Sequence, residues 1–180
     1  GLPIDTYFLG RDKELAWLVQ RLQPGAIVAV CGPGGMGKSA LAARALQHLE
    51  DGRFPDGIIC HSFYGDGQTE KAVQAIALGF GLKTEGDPTT LLTATLAAKQ
   101  ALLVLDGAEE AEDLGAILRL RGTCGVLITS RKRADAQGER LDLAPLADPS
   151  AEELLRAWCG TGADQTSIQG IGKQLGGWPV

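Results

Sequence analysis

The residues best equipped for chemistry stand together in the run Gly32-Pro33-Gly34-Gly35-Met36-Gly37-Lys38-Ser39, which matches the spacing G-x-x-x-x-G-K-[ST]. Glycines let a backbone curl close to an anion, and the N–H groups at the start of the helix that follows point at it. Lys38 adds a mobile positive charge and Ser39 a hydroxyl able to ligate Mg²⁺. The anion that suits this arrangement is a nucleotide polyphosphate, ATP or ADP, with its β- and γ-phosphates beside Lys38. The candidate cofactor-binding residues here are Gly34, Gly35, Met36, Gly37, Lys38, Ser39 and Ala40.

Two further runs supply groups at strand ends. Ala101-Leu102-Leu103-Val104-Leu105-Asp106 reads as a buried strand delivering a carboxylate at its carboxyl end, where a Walker B aspartate holds the hydration shell of Mg²⁺. Ser39 and Asp106 are therefore the candidate metal residues. Val126-Leu127-Ile128-Thr129-Ser130-Arg131 is a second buried strand, ending in hydroxyls and an arginine. The fork of donors on Arg131 can reach phosphate oxygens, as a sensor of the γ-phosphate would. Lys38, Asp106 and Arg131 form the candidate catalytic set.

These groups need a scaffold that brings several strand ends to one edge. Apolar periodicity alternates between strand and helix lengths, the pattern of an α/β domain with a mainly parallel sheet. Strands are expected at Ile27 to Cys31, Gly57 to Phe63, Ala101 to Asp106, Gly125 to Thr129 and, more weakly, Leu141 to Leu143, buried on both faces. Helices fit Asp12 to Leu22, Lys38 to Leu49, Glu70 to Gly79, Pro88 to Lys99, Ala111 to Leu118, Ala151 to Trp158 with Ser150 as its cap, and Thr166 to Leu175. Gly and Pro gather at the joins, and no internal repeat occurs. Residues 1–147 read as the α/β domain with its N-terminal segment, and 148–180 as the start of a helical lid in a domain excised from a longer protein.

Bulk properties narrow the alternatives. The chain has 180 residues, 44% of them hydrophobic, which fits one compact domain. A formal net charge of −5 opposes broad attachment to nucleic acid, and the short basic cluster Arg131-Lys132-Arg133 reads as a solvated loop. No apolar run approaches the length of a membrane span, so a cytoplasmic protein is expected. Cys31, Cys60, Cys124 and Cys159 contain no Cys-x-x-Cys pair, and the first three read as small buried thiols. His48 on a polar helix position and His61 at a strand end make no case for catalysis or ligation.

In order along the chain, these elements resemble the NB-ARC domains of the STAND class of signalling P-loop NTPases, bacterial type. Phe8-Leu9-Gly10-Arg11 with Glu14-Leu15 looks like the hydrophobic-hydrophobic-Gly-Arg segment before the first helix. Cys31 to Ala40 resembles the Walker A loop, and Phe54-Pro55-Asp56-Gly57 is similar to the second-strand motif of bacterial members. Leu102 to Glu110 stands where the family writes LLVLDDVW, Leu127 to Arg131 where it writes LLTTR, and Gly176-Gly177-Trp178-Pro179 where it writes GLPL. The resemblance implies a five-stranded sheet in the order 5-1-4-3-2, flanked by helices, with a small helical subdomain closing over the base. It also implies an adenine pocket bordered by Phe8, Leu9, Arg11 and Pro179.

Two positions depart from the family pattern. Gly107 replaces the second acidic residue after Asp106, with carboxylates returning at Glu109 and Glu110, one turn farther on and facing solvent in this reading. Trp178 replaces a leucine and reads as lid packing. What the resemblance implies is a switch held closed by ADP and opened by ATP, acting on other domains of the parent chain and on a homo-oligomer in the ATP state, and the loss of an orienting carboxylate at Gly107 predicts slow hydrolysis. A scaffold holding ADP as a structural cofactor is the alternative, and an ATP-dependent phosphotransferase a weaker one.

Overall fold

The computed structural model of the protein describes residues 8–83 and 87–159. Helix α1 (Asp12–Arg21) leads into strand β1 (Ile27–Cys31), whose sequence IVAVC is β-branched and small. The glycine-rich loop follows, then helix α2 (Lys38–Gln47), whose run of Ala and Leu favours helix. The chain continues through β2 (Ile58–Ser62), α3 (Thr69–Gly79), α4 (Pro88–Leu96), β3 (Leu102–Asp106), a 3₁₀ turn at Ala108–Glu110, and α5 (Leu114–Arg119). Strand β4 (Gly125–Ser130), a second 3₁₀ turn at Arg133–Asp135, β5 (Glu139–Asp142) and α6 (Asp148–Cys159) complete it.

The sheet order is β2-β3-β4-β1-β5, and every pairing is parallel. Counted from the other edge this is the expected 5-1-4-3-2. One face is packed by α3, α4 and α5 around Phe63, Ile76, Leu92, Leu103, Leu105 and Ile117. The other carries α1 and α2 over Leu18, Val28, Val30, Leu41, Leu102 and Leu127. A third, smaller cluster joins Leu9 of the N-terminal segment to Leu146, Ala151 and Leu154 around the start of α6.

Several boundaries move for identifiable reasons. The helix expected from Ala111 starts at Leu114, because the Asp113 side chain accepts from Ala116 N at 2.8 Å and caps it there. α4 is capped by Asp87, which accepts from Thr89 N at 3.0 Å, with Pro88 in the first position. It stops at Leu96, and α2 stops at Gln47 with His48 as its cap, both two or three residues short of expectation. α6 begins at Asp148, so Ser150 lies inside its first turn and is not its cap; Pro149 is tolerated there because first-turn N–H groups lack helical partners anyway.

Burial on both faces holds for β3 and β4 but not for β2 and β5, which have one neighbour each. Cys60 accordingly lies exposed on the edge strand, a correction to the buried thiol expected there, while Cys31 and Cys124 are buried. His61 is half-buried with its ring edge-on to Phe63 at 4.7 Å, and burial lowers its pKa. Among the described residues no helix is long and apolar enough to cross a membrane. The helix expected at 166–175, together with Trp178 and Pro179, lies outside the described residues.

Candidate functional site

The site is assembled at the carboxyl ends of the three central strands. β1 feeds the loop Gly32 to Gly37, and two of its glycines, Gly35 at φ +74° and Gly37 at φ +79°, adopt the left-handed conformation that lets the loop fold back on itself. The Met36 side chain turns away into the core at 3% exposure, so only its backbone faces the loop interior. Lys38 opens α2 and is buried; its ammonium donates to Gly32 O at 2.8 Å and Pro33 O at 2.7 Å. Two of its three protons are thereby used and one is left over. Burial lowers the Lys38 pKa, and the Glu109 carboxylate opposes that shift more strongly than Asp106 does.

Asp106 ends β3 and is 6% exposed. Its Oδ1 accepts from Ser39 Oγ at 2.6 Å and from Thr129 Oγ1 at 2.6 Å. Thr129 closes the pattern, accepting from Gly107 N at 3.0 Å. Because β4 lies between β1 and β3, Thr129 can lock the aspartate on one neighbouring strand while pairing in register with Val30 on the other. The donor set fits Mg²⁺: Ser39 directs its proton to Asp106 and keeps its lone pairs for a cation, and a hard oxygen pair plus nucleotide phosphates is what this ion prefers.

Arg131 leaves β4 and bends back across the glycine loop; a Cβ on Gly34 would stand 3.5 Å from its Nε. The guanidinium is half-exposed and ion-paired with Glu109, Nε to Oε1 at 3.0 Å, and sits 5.9 Å from the centre of the Tyr64 ring. Arg131, Lys132 and Arg133 are exposed, as expected of a solvated loop, with Arg131 and Lys132 tethered to Glu109 through its carboxylate and through a Lys132 Nζ contact to its carbonyl at 3.0 Å. One reading from sequence is corrected here: Glu109 does not face solvent, its side chain being only 7% exposed, whereas Glu110 is exposed as expected. Sequence reasoning missed Thr129 and Glu109 as site residues. The hydroxyls at the end of the fourth strand were a visible signal for the first; the second depends on a chain reversal at Gly107.

The side on which the resemblance puts the base is assembled differently. A shallow groove is lined by Phe8, Ala40, Ala43, Arg44 and Gln47, which places two of the expected cofactor residues, Phe8 and Ala40, together. Leu9 belongs to the small cluster with Leu146, Ala151 and Leu154. Arg11 is 6% exposed and donates to Ala144 O at 2.7 Å and Glu14 Oε1 at 3.0 Å, tying the N-terminal segment to the link between β5 and α6. Pro179, the remaining expected base-side residue, is outside the described residues.

A parallel sheet in this order, a phosphate loop between β1 and α2, and a strand-end aspartate hydrogen-bonded to the loop serine define a P-loop NTPase nucleotide-binding domain. The sequence matches the NB-ARC domain family over residues 11–143, and the chain belongs to that family. The regulatory protein AfsR of Streptomyces griseus is 30% identical over 164 residues, covering 82% of this chain but 17% of that protein. Among solved structures, Cdc6p from Pyrobaculum aerophilum superposes with a TM-score of 0.76 at 16% identity, over 94% of this chain and 56% of that one. A STAND ATPase with a tetratricopeptide-repeat sensor from Pyrococcus horikoshii gives 0.69 at 19% identity, over 98% of this chain and 29% of its own length. This chain thus spans about a sixth of the AfsR protein and little more than half of either structural relative at most.

Proposed function

We propose that this domain is the nucleotide-controlled switch of a STAND-type regulatory protein, holding ADP with Mg²⁺ at rest and ATP in the active state, with slow hydrolysis between. The observation that carries the reading is the convergence of Lys38, Ser39 and Asp106 at one point, with Arg131 lying over the same loop. Lys38 contributes charge-assisted donors to the β- and γ-phosphates, and Ser39 with Asp106 holds the metal. Backbone N–H groups from Gly34 to Ala40 line the phosphates at the start of α2. When bound, ATP supplies a γ-phosphate with negative charge that ADP lacks, and Arg131 is the side chain placed to detect it.

A switch needs differential contacts in its two states, and tight binding alone moves nothing. Arg11, the cluster of Leu9 with the start of α6, and Gly10 against Ser150 supply the mechanical link, because they couple the N-terminal segment to the helix that begins the proposed lid at 148–180. Phe8, Leu9, Arg11 and Pro179 border the adenine in this reading, and residues 1–147 form the α/β domain. The relatives named as regulatory protein and as STAND ATPase support a role in signal transduction; in this reading it is exerted in the cytoplasm, on other domains of the parent chain and on a homo-oligomer in the ATP state, and the net charge of −5 is against direct nucleic-acid binding.

The test is the identity of nucleotide released from the purified, denatured domain, followed by titration of ADP and ATP with and without Mg²⁺. Bound ADP and a Mg²⁺-dependent preference between the two nucleotides are expected. A purified domain that takes up neither would overturn the reading.

A further inference from the structure

The position after Asp106 disfavours a carboxylate, which would need a strained backbone and a shift of Tyr64. Gly107 has φ +73°, and a Cβ there would lie 2.8 Å from Tyr64 Cζ. The same left-handed glycine turns the chain sharply into the 3₁₀ turn Ala108–Glu110, which separates the two acidic residues that follow. Glu110 is exposed and accepts from Gly65 N at 3.4 Å, away from the phosphate loop. Glu109 is folded back under Arg131: its Oε2 accepts from Arg131 N at 3.0 Å, and its Oε1 lies 3.0 Å from Arg131 Nε as an ion pair. That ion-pair contact lacks hydrogen-bond alignment, so Oε1 is buried with no hydrogen-bond partner among the described residues. Arg131 spans from Glu109 to the face of Gly34, so the carboxylate is tethered beside the phosphate loop.

A buried carboxylate with an oxygen free of hydrogen bonds, held beside the phosphate loop by an arginine, has the makings of a water-binding group. We propose that Glu109 orients and deprotonates the attacking water in ATP hydrolysis, with Arg131 as the positioning residue for its carboxylate; this rests on the nucleotide reading above. Glu109 accepts a proton from a water whose oxygen bonds to the γ-phosphorus while the bond from that phosphorus to the β–γ bridging oxygen breaks, the electron pair leaving with ADP as its Mg²⁺ complex. Arg131 is shared between Glu109 and the γ-phosphate oxygens, so the arrival of ATP and the aiming of Glu109 are one event. The carboxylate missing at 107 is thereby supplied from 109.

The experiment uses this chain with ADP, with ADP plus Mg²⁺ and aluminium fluoride, and with ATP. A mimic of the transferring phosphoryl group binds through the same contacts as the transition state, so its affinity reports water positioning without turnover. Glu109→Gln is expected to leave ADP affinity unchanged, to weaken the aluminium fluoride complex at least about tenfold and to slow single-turnover hydrolysis at least about a hundredfold. Glu110→Gln should match the wild type in all three. Glu109→Asp keeps the charge at shorter reach and covers the case in which the glutamine variant fails to fold; it should bind ADP normally and hydrolyse slowly. Wild-type hydrolysis in either Glu109 variant, or an undiminished aluminium fluoride complex, overturns the proposal. A wild type that binds ADP and ATP but neither traps aluminium fluoride nor turns over sinks Glu109 alone, whereas one that binds no nucleotide sinks the underlying reading.

Discussion

Lys38, Asp106 and Thr129 are buried at 5%, 6% and 0% exposure, each held by short hydrogen bonds to the loop or to one another, whereas in the N-terminal segment Phe8 and Leu9 are half-buried, Phe8 lining only a shallow groove and Leu9 packing on the small cluster before and within α6. The two ends of the proposed site differ because their supports differ. The phosphate end is fixed by three adjacent strands in parallel register, whose interiors are closed to water. The proposed base end is fixed by a short N-terminal segment that leans on Leu146, just before α6, and on Ser150 in its first turn. In the proposed reading a preformed phosphate end would supply affinity in every state, and an N-terminal segment that depends on a docked helix is where a change of state would be registered.

The sharpest way to break this contrast is at Lys38. Lys38→Ala removes charge-assisted hydrogen bonds of about 1.5–3 kcal/mol each, so ATP and ADP affinity should both fall at least about tenfold. Calorimetric titration of the folded variant checks this, and wild-type affinity would remove Lys38 from the phosphates. Asp106→Asn should act more selectively. The amide keeps the shape and can still accept from Ser39 or Thr129, but loses the charge that holds the ion, so Mg²⁺-dependent ATP binding should fall about tenfold while metal-free binding stays near wild type. Equal losses with and without Mg²⁺ would point to disruption of the Ser39–Asp106–Thr129 lock.

How far the sequence alone reached follows the same division. The existence of the five strands and the placement of Lys38, Ser39 and Asp106 were legible because local signals suffice there: a β-branched strand, a glycine loop of set spacing, a helix of good formers, an apolar run ending in Asp; the order of the strands came only with the family resemblance. What escaped depends on neighbours distant in sequence. Cys60 looks like any residue of a buried strand until β2 is known to be an edge with one partner. Glu109 looks solvent-facing until Gly107 reverses the chain under Tyr64 and brings the carboxylate to Arg131, 22 residues away. The tie of the Arg11 guanidinium to Ala144 O, 133 residues away, likewise has no local signal in the sequence.

Gly10 tests whether the base end really depends on α6. At φ +71° a side chain is strained, and a Cβ would stand 2.5 Å from both Cβ and Oγ of Ser150. Gly10→Ala should therefore destabilise the fold by about 1–3 kcal/mol, as overpacking does. The loss should appear first as increased hydrogen exchange in α6, with phosphate-end amides still protected. Adding Ser150→Gly should relieve the collision and recover part of the stability, leaving the backbone strain. Uniform loss of protection across the sheet would mean that the two ends are not mechanically separate.

The smallest expected effect is the most specific to the base. Phe8 lines the groove with Ala40 and Ala43 at the outer face of α2, and the Arg44 guanidinium lies 6.0 Å from its ring centre. A half-buried aromatic edge against a planar base contributes about 1 kcal/mol through contact and ring geometry, with no dependence on phosphate charge. Phe8→Ala should therefore weaken adenosine, ADP and ATP by a common factor of roughly five, whereas Lys38→Ala should spare adenosine and weaken only the phosphorylated ligands. The two losses should add in the double variant, because the substituted side chains share no hydrogen bond or described contact. The measurement is one set of titrations with three ligands against four proteins. A Phe8→Ala loss that grows with phosphate number would mean that the N-terminal segment reports on the phosphate end, and the division of the site into a rigid half and an adjustable half would have to be redrawn.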